Sequence, residues 1–393
     1  MLPRSRSTTA WSQASLAPKT ASDCVSPIII TMEKKIRVGI IFGGKSGEHE
    51  VSLRSAKSVV EAIPREKYDI VLIGIDKSGR WLLNEDSNFL ISRAGQHMPK
   101  MVEGGREVSF IPESAGLIQA VGQAGDSGKV DVVFPILHGP FGEDGTVQGL
   151  LKLAGIPFVG AGVLGSAVGM DKDVMKRLLR DAGIKIGKFL VFKSEDKIGF
   201  AAVKKTLGLP LFVKPANMGS SVGVSKVRNE KEFKKAAAWA FEYDTKIVVE
   251  EFIKGREIEC SVLGNNDPVA SLPGEVVLKA DFYSYDAKYI DENGAVLKIP
   301  ADLPKKVVKN VQDTAVKTFK TLSCEGLGRV DMFLKENGEI FVNEINTIPG
   351  FTSISMYPKL WEASGLSYSK LIDTLIKLAL ERFDKESKLK TSK

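Results

Sequence analysis

The sequence has few cysteines, no long apolar run and no block of charge of one sign. Cys24, Cys260 and Cys324 are widely spaced and form no C-x-x-C pair, which argues against a disulfide framework and against a cysteine zinc site. The longest apolar runs, such as residues 70–75, have the length of a buried strand and cannot span a membrane. We therefore predict a cytoplasmic protein with reduced thiols and no membrane partner.

The positive charge of the chain is dispersed. Although the net charge is +7, no arginine-rich run or aromatic–basic stripe concentrates it, so we expect no nucleic-acid partner. A small anionic ligand explains the excess more simply. With 393 residues, 43% of them hydrophobic, the chain can form two or three domains with cores of their own.

Both ends of the chain are predicted to lie outside the fold. Residues 1–31 hold Ser, Thr, Ala and Arg without periodicity, and Met32 stands just before the first strand pattern. An organellar transit peptide, a misplaced start and a tag are each compatible with this leader. Residues 384–393 form a Lys-rich tail.

Three successive regions differ in their patterns. Residues 32–170 alternate short β-rich runs with helical patterns, which predicts a parallel α/β domain that binds the substrate. Residues 171–253, with helices at 172–182 and 230–243, form a small central α+β domain. Residues 254–383 form a second α+β domain with a helix at 305–322 and a hairpin at 328–346.

The hairpin carries the clearest chemical signal. Asn337-Gly338 is a two-residue turn signal, and a tight turn there places Asp331 opposite Glu344 and Arg329 opposite Asn346 on one face. The other face is apolar, with Val330 opposite Ile345 and Leu334 opposite Phe341. A bulged turn would shift this register.

Two opposed carboxylates repel each other unless a cation neutralises them. Asp331, Glu344 and Asn346 supply the oxygen ligands that Mg²⁺ prefers, so a metal site is one interpretation. A solvated face with a salt bridge between Arg329 and Asp331 is equally compatible with the pattern.

Three other segments are candidates for ligand binding. Lys214 ends a strand before the Gly/Ser loop 216–223, whose backbone could hold phosphates or form an ordinary turn. His138 enters a Gly-rich loop after a strand, where a structural and a ligand-binding histidine are both plausible. The Tyr-rich loop at 281–293 is either a closing lid or a surface loop.

Residues 39–46 match the Walker A sequence pattern but lack the structural context of a P-loop. Gly39 lies inside the apolar run 38–42, and the acidic residues that follow Gly47 stand where phosphate would bind. We therefore reject a P-loop here, although the turn after the strand still marks a ligand crevice.

Taken together, the ordered motifs resemble those of the D-alanine:D-alanine ligases. The resemblance spans residue 32 to about residue 380 and is carried by segments 43–52, 138–149, 170–172, 214–222, 287–289 and 328–355. It implies an α/β ATP-grasp fold with an N-terminal parallel α/β (pre-ATP-grasp) domain, a homodimer, and ATP-dependent synthesis of D-alanyl-D-alanine for peptidoglycan precursors.

The resemblance assigns roles to particular residues. For ATP, it implies Lys172, Lys214 and Lys288 as phosphate contacts, with Ser220 and Ser221 in the covering loop, Glu250, Glu251 and Ile253 as the adenine hinge, and Glu257 as the ribose contact. For Mg²⁺ or Mn²⁺, with two ions expected, it implies Asp331, Glu344 and Asn346. For D-alanine, it implies Glu48 with Ser220 and Tyr289 as a hydrogen-bonded triad, His138 beside the first substrate, Arg329 and Gly350 at the oxyanion, and Ser355 with Met356 at the second carboxylate.

Two other functions remain open from the sequence. A ligase on the same scaffold could make a D-alanyl-D-lactate depsipeptide or use another D-amino acid, because fold does not fix the substrate. A non-catalytic nucleotide-binding module is the more distant alternative. The pair Asp331 and Glu344 argues against it, since a binding-only protein has little reason to keep opposed carboxylates.

Overall fold

The computed structural model describes residues 34–84, 105–122, 126–278 and 295–390. Within them the chain forms three sheets of seven, four and six strands, which follow one another along the sequence. None of the helices in these described ranges is long and apolar enough to cross a membrane.

The first sheet is parallel only at one end. Its elements are β1 (Ile36–Gly43), α1 (His49–Ala62), β2 (Tyr68–Ile75), β3 (Trp81–Asn84), β4 (Arg106–Phe110), β5 (Leu117–Ala120), β6 (Asp126–Lys129), β7 (Val132–Ile136), α2 (Thr146–Leu153) and α3 (Val163–Met170). The strand order is β6-β5-β4-β3-β2-β1-β7. Parallel pairing, predicted for the whole region, is limited to β1 with β2 and β7, because β3 to β6 pair with their neighbours as antiparallel strands.

Gly39 lies within β1, where it pairs with Val71 and Val133. A residue inside a central strand cannot begin a phosphate-binding loop, so the rejection of the Walker A pattern is confirmed. The strand ends at Gly43, whose φ of 92° and close approach to the Ile75 carbonyl admit no side chain.

The second sheet is small and antiparallel. Its elements are α4 (Lys172–Asp181), β8 (Phe189–Lys193), α5 (Phe200–Leu207), β9 (Leu211–Pro215), β10 (Ser225–Val227), α6 (Glu230–Ala240) and β11 (Lys246–Glu251). The strand order is β10-β9-β11-β8. Helix α4 begins at a clear cap, since the Asp171 side chain accepts hydrogen bonds from the backbone N–H groups of Asp173 and Val174.

The third sheet holds the hairpin. Its elements are β12 (Arg256–Gly264), β13 (Val269–Ala270), β14 (Gly274–Leu278), β15 (Ala295–Lys298), α7 (Lys305–Thr321), β16 (Gly326–Leu334), β17 (Ile340–Asn346), α8 (Met356–Ala363) and α9 (Tyr368–Ser387). The order is β15-β14-β12-β16-β17, with β13 beside β12. Helix α7 packs on β12, β16 and β17.

The predicted hairpin register is correct at its polar end. Asp331 lies opposite Glu344, and Arg329 lies opposite Asn346. Their side chains project from one face, whereas Val330 and Ile345 are buried in the core beneath it.

The predicted register is wrong near the turn. The loop contains residues 336–338, since the backbone N–H of residue 335 donates to the carbonyl of residue 339. Leu334 therefore pairs with Ile340, and not with Phe341. A β-bulge at Asn343 then inserts one residue and restores the predicted pairing before Asp331. The two irregularities cancel each other.

The first and third sheets are held together through α9. Asp373 accepts hydrogen bonds from the Tyr68 hydroxyl at 2.8 Å and from the Lys67 ammonium at 3.1 Å. Arg382 donates to the Phe158 carbonyl at 2.9 Å. A single buried cluster also joins both sheets, so the loops that follow β7 and β17 lie at a shared interface.

Cys260 and Cys324 are buried and unbridged, and burial raises the pKa of each thiol to about 12. We expect a chain that starts at Met32, and so lacks Cys24, to fold normally and to show no reactive thiol until it unfolds. The measurement is reaction with a disulfide reagent as urea is increased. Rapid modification of the native chain would contradict the structure.

Candidate active site

A cavity of about 340 Å³ lies between the second and third sheets. It is lined by α4, by the loop after β9 and by strands β11, β12, β16 and β17. Ten of the residues predicted from the sequence line it: Lys172, Lys214, Ser220, Ser221, Glu250, Glu251, Ile253, Glu257, Asp331 and Glu344. Residues that lie far apart in the sequence therefore form one site.

Three buried lysines surround Glu250 at one side of the cavity. The Lys214 ammonium lies 2.8 Å from Glu250 Oε2, and the Lys176 ammonium lies 3.3 Å from Oε1. Burial opposes ionisation of Glu250, but the two positive charges outweigh it and lower its pKa. Burial lowers the pKa of Lys172 and of Lys176. Two carboxylates, Glu250 and Glu344, which lies 3.8 Å from Lys172, do not balance three lysines, so this side of the cavity favours a polyanionic ligand.

Sequence reasoning missed Lys176. It lies four residues after Lys172 in α4, so both ammonium groups project from the same face of the helix. That spacing was the available signal. Its side chain is only 1% exposed, which a surface-lysine interpretation would not predict.

The opposite side of the cavity holds carboxylates around a buried arginine. Arg329 donates two hydrogen bonds of 2.7 Å to Asp331 and lies 2.8 Å from Glu259. Burial disfavours the charged guanidinium, but Asp331 and Glu259 outweigh it and raise the pKa of Arg329 well above its ordinary value. The predicted salt bridge between Arg329 and Asp331 therefore exists, though it is buried and not solvated. Glu259 was missed because its place opposite Asp331 depends on pairing between β12 and β16.

The donor set at this side of the cavity fits a hard divalent cation. Asp331 and Glu344 are directly opposed and both line the cavity, and the Asn346 side-chain NH₂ donates to Asp331 Oδ2 at 2.9 Å. Glu344 is 31% exposed towards the cavity and lies 3.8 Å from Lys172. Among the described residues no cluster of three or more His, Cys, Asp or Glu side chains is arranged to hold a metal. The candidate protein ligands are the two carboxylates of Asp331 and Glu344 and the amide oxygen of Asn346, which share one face of the hairpin.

The Gly/Ser loop closes over Glu48. Ser220 donates a hydrogen bond to Glu48, and the loop holds Ser220 and Ser221 at φ of 50° and 61°, in the left-handed region. Lys172 donates to the Met218 carbonyl at 2.6 Å. A side chain at Gly219 would meet Glu48 Oε2 at 3.3 Å. This close packing links the first sheet to the loop of the second.

His138 and Glu143 follow β7 and reach the loop after β17. His138 Nδ1 lies 3.0 Å from the Ile348 carbonyl, and Glu143 accepts a hydrogen bond of 3.0 Å from the Ile348 N–H. Sequence reasoning gave Glu143 no role, although it lies in the motif that contains His138. Burial, and then the charge of Glu48, raise the pKa of Glu143 to about 8.

This shift predicts how stability changes with pH. The unfolded carboxyl ionises near its ordinary pKa of 4.5, while the folded one holds its proton until about 8. The folded state thus binds more protons between these values, and its stability falls as pH rises. We expect Glu143→Gln to remove this dependence of stability on pH. The free energies of unfolding of variant and wild type, measured in urea, should therefore converge or cross between pH 5 and about 8. A difference independent of pH would contradict the prediction.

The remaining predicted site residues have side chains that bond or pack within the protein, or lie outside the described residues. Glu251 accepts from the Lys188 N–H at 2.8 Å, and its own N–H donates to the Lys188 carbonyl at 3.0 Å. Ser355 Oγ accepts from the Thr352 N–H at 3.1 Å and lies beside Gly350. The Met356 side chain is buried in an apolar cluster, which leaves its backbone at the start of α8. Lys288 and Tyr289 lie outside the described residues.

Known proteins share both sequence and structure with this chain. Residues 37–161 match the family model described as D-ala D-ala ligase N-terminus, and residues 178–377 match D-ala D-ala ligase C-terminus. A D-alanine–D-alanine ligase of Shouchella clausii is 56% identical over 365 residues, which cover 92% of this chain and 99% of that protein.

Solved structures of ligases also resemble this chain. The D-alanine–D-alanine ligase of Coxiella burnetii has a TM-score of 0.79 at 39% identity, covering 90% of this chain and 96% of that one. The VanG D-Ala:D-Ser ligase of Enterococcus faecalis has a TM-score of 0.77 at 39% identity, with 88% and 100% covered. The predicted α/β ATP-grasp fold is confirmed, and the chain belongs to the D-alanine–D-alanine ligase family.

Proposed function

We propose that this protein joins two D-alanine molecules into D-alanyl-D-alanine, using ATP and releasing ADP and phosphate. The observation that carries the proposal is the cavity that places buried lysines opposite paired carboxylates. This arrangement suits phosphoryl transfer to a carboxylate, because the lysines can hold the phosphates and a divalent cation, once bound by the carboxylates, would neutralise their charge.

ATP is proposed to occupy the cavity with its phosphates towards Lys172 and Lys214. The loop of Ser220 and Ser221 then covers the phosphates. The adenine lies against the hinge formed by Glu250, Glu251 and Ile253, and the ribose reaches Glu257, all of which line the same cavity. Lys288 is proposed as a further phosphate contact on the basis of sequence alone.

The metal site is proposed to hold Mg²⁺ or Mn²⁺, as two ions, on Asp331, Glu344 and Asn346. A bound divalent cation would neutralise the phosphate oxygens and orient the γ-phosphate. Because both oxygens of Asp331 accept hydrogen bonds from Arg329, this carboxylate is held in a fixed orientation before any ligand arrives.

The first half-reaction places one D-alanine beside Glu48. Glu48 accepts hydrogen bonds from the ammonium of this substrate and forms a hydrogen-bonded triad with Ser220, which donates to it, and Tyr289. His138 lies next to the substrate. One oxygen of the D-alanine carboxylate attacks the γ-phosphorus, the bond from γ-phosphorus to the bridging oxygen breaks, and ADP leaves. The product is an acylphosphate, which must be kept from water.

The second half-reaction forms the peptide bond. The second D-alanine is held by Ser355 and the backbone at Met356, and its free amine attacks the acyl carbon. The carbonyl electrons move to oxygen, where Arg329 and the Gly350 N–H stabilise the oxyanion. When the carbonyl re-forms, phosphate leaves and the amine loses its proton.

The choice of second substrate is the open alternative. A D-Ala:D-Ser ligase is among the structural neighbours, so D-serine is one competitor. D-lactate is the other, because fold does not fix the substrate. We expect ADP release by purified protein with Mg²⁺ to require D-alanine and to be far slower with L-alanine. Product separation from equimolar mixtures of D-alanine with D-serine or D-lactate tests the preference, and a dominant D-alanyl-D-serine or depsipeptide product would reassign the substrate.

A homodimer in the cytoplasm completes the proposal. Light scattering of the purified protein tests the dimer, and a measured mass of one chain, 42.7 kDa, would contradict it.

A further inference from the structure

The loop that carries Gly350 is held from both sides by hydrogen bonds. It follows β17 and runs from Ile348 to Phe351, with Pro349 between Ile348 and Gly350. The Phe351 end is fixed by the core, since its ring packs against Tyr357 and Tyr368 and its carbonyl accepts from the Tyr368 hydroxyl at 2.6 Å. The position of Gly350 therefore depends on what holds Ile348.

Glu143 connects two loops through its two oxygens. Oε2 accepts from the Gly139 N–H at 2.8 Å, within its own loop, and Oε1 accepts from the Ile348 N–H at 3.0 Å. Gly139 in turn packs against Glu48, since a side chain there would meet Glu48 Oε2 at 3.0 Å. One carboxylate thus joins the surroundings of Glu48 to the loop of Gly350.

His138 holds the carbonyl of the same residue. The Ile348 carbonyl can only accept, so His138 Nδ1 carries the proton at their 3.0 Å contact. His138 Nε2 then accepts from the Ser55 hydroxyl at 3.2 Å, and Ser55 Oγ lies 3.4 Å from the Phe351 N–H. This chain of contacts runs from Ile348 through His138 and Ser55 to Phe351.

We propose that Glu143 is a positioning residue that fixes the Gly350 loop relative to the Glu48 pocket and so aligns the second half-reaction with the first. This inference rests on the proposed function, because it assigns Gly350 to the oxyanion. Glu143 acts through the Ile348 N–H and need not touch the substrate. His138 alone cannot replace it, since it holds only the carbonyl side of Ile348.

The geometry requires two acceptor oxygens, which a carboxyl group offers in either protonation state. Two N–H donors converge on Glu143, and each needs an acceptor oxygen. Glutamine offers one oxygen and one NH₂ group, so one donor would face another donor and the loop would shift. A displacement of about 1 Å in a reacting group can lower the rate by roughly a hundredfold.

The test compares Glu143→Gln with wild type in steady-state and rapid-quench kinetics. We expect kcat for dipeptide formation to fall about 10 to 100 fold and KM for the second D-alanine to rise, while KM for ATP stays within about twofold. Because ADP forms in the first half-reaction, the variant should show a burst of ADP before a slow steady state. Glu232→Gln is the matched control, since Glu232 also accepts a hydrogen bond from a backbone N–H, at 2.7 Å from Arg228, but lies on the surface of α6.

The outcomes separate this inference from the proposed function. If wild type makes no dipeptide, the proposed function fails. If wild type is active and Glu143→Gln has a kcat within about twofold of it, the positioning role is wrong. A slower variant without an ADP burst and with a raised KM for ATP also overturns it, because that pattern reports a general structural defect.

A second variant keeps the test decisive if the glutamine variant does not fold. Glu143→Asp retains both acceptor oxygens but is shorter by one methylene, so it cannot span both donors at their present separation. We expect the same ADP burst with a smaller fall in kcat. Wild-type kinetics in Glu143→Asp would contradict the role.

Discussion

Glu344→Gln is expected to lower turnover by about a hundredfold to a thousandfold without unfolding the protein. The substitution removes one of two opposed carboxylates at the proposed metal site, and loss of metal stabilisation costs several kcal/mol in the transition state. It also relieves repulsion with Asp331, and the 31% exposed side chain can stay solvated. Activity as a function of Mg²⁺ concentration, with thermal unfolding alongside, measures both effects.

Glu339→Gln is the control for this experiment. Glu339 stands in the same hairpin and pairs with Lys185 at 2.5 Å, but on the exposed turn. We expect its turnover and Mg²⁺ dependence to match those of wild type. If Glu344→Gln also kept the wild-type Mg²⁺ dependence, the metal site would have to lie elsewhere.

Glu250→Gln is expected to reduce the free energy of unfolding by about 3 to 5 kcal/mol. The substitution leaves Lys176 and Lys214 buried without their shared counter-charge, which is the costly way to break a buried ion pair. Urea unfolding of variant and wild type measures the loss. Because the folded lysines then release protons more readily, the loss should shrink as pH rises towards the ordinary lysine pKa of 10.5.

Glu230→Gln is the control for this loss of stability, because Glu230 lies in α6, among the elements of the second sheet. Glu230 pairs with Lys234 on the surface of α6, where both side chains are more than half exposed. Such a pair contributes about 0.5 kcal/mol or less. Equal losses for Glu230→Gln and Glu250→Gln would show that the buried cluster has no special importance.

The hairpin shows why much of the site could be predicted. Its chemistry depends on local register, which the alternation of β16 and β17 and the Asn337-Gly338 turn nearly determine. The turn was misjudged, because a two-residue and a three-residue loop share the same Asn-Gly signal. The bulge at Asn343 corrected that error by an insertion that no local sequence pattern indicates.

Long-range placement accounts for what was missed. Glu259 meets Asp331 only because β12 pairs with β16, and Glu143 meets Ile348 across a separation of 205 residues. Neither contact leaves a periodic signal in the sequence. The antiparallel strands β3 to β6 were overlooked for a related reason, since short strands alternate with gaps in both parallel and hairpin arrangements.

The most direct test of the account is to follow carboxyl oxygen from D-alanine labelled with ¹⁸O on both carboxylate oxygens. If a D-alanine carboxylate attacks the γ-phosphorus, one labelled oxygen must leave with phosphate for every dipeptide formed, and the new peptide carbonyl must keep the other. Mass spectrometry of phosphate and dipeptide reads both. We predict singly labelled phosphate in equal amount to D-alanyl-D-alanine and ADP. Dipeptide formed with unlabelled phosphate, or ADP released without dipeptide, would contradict ligation through an acylphosphate.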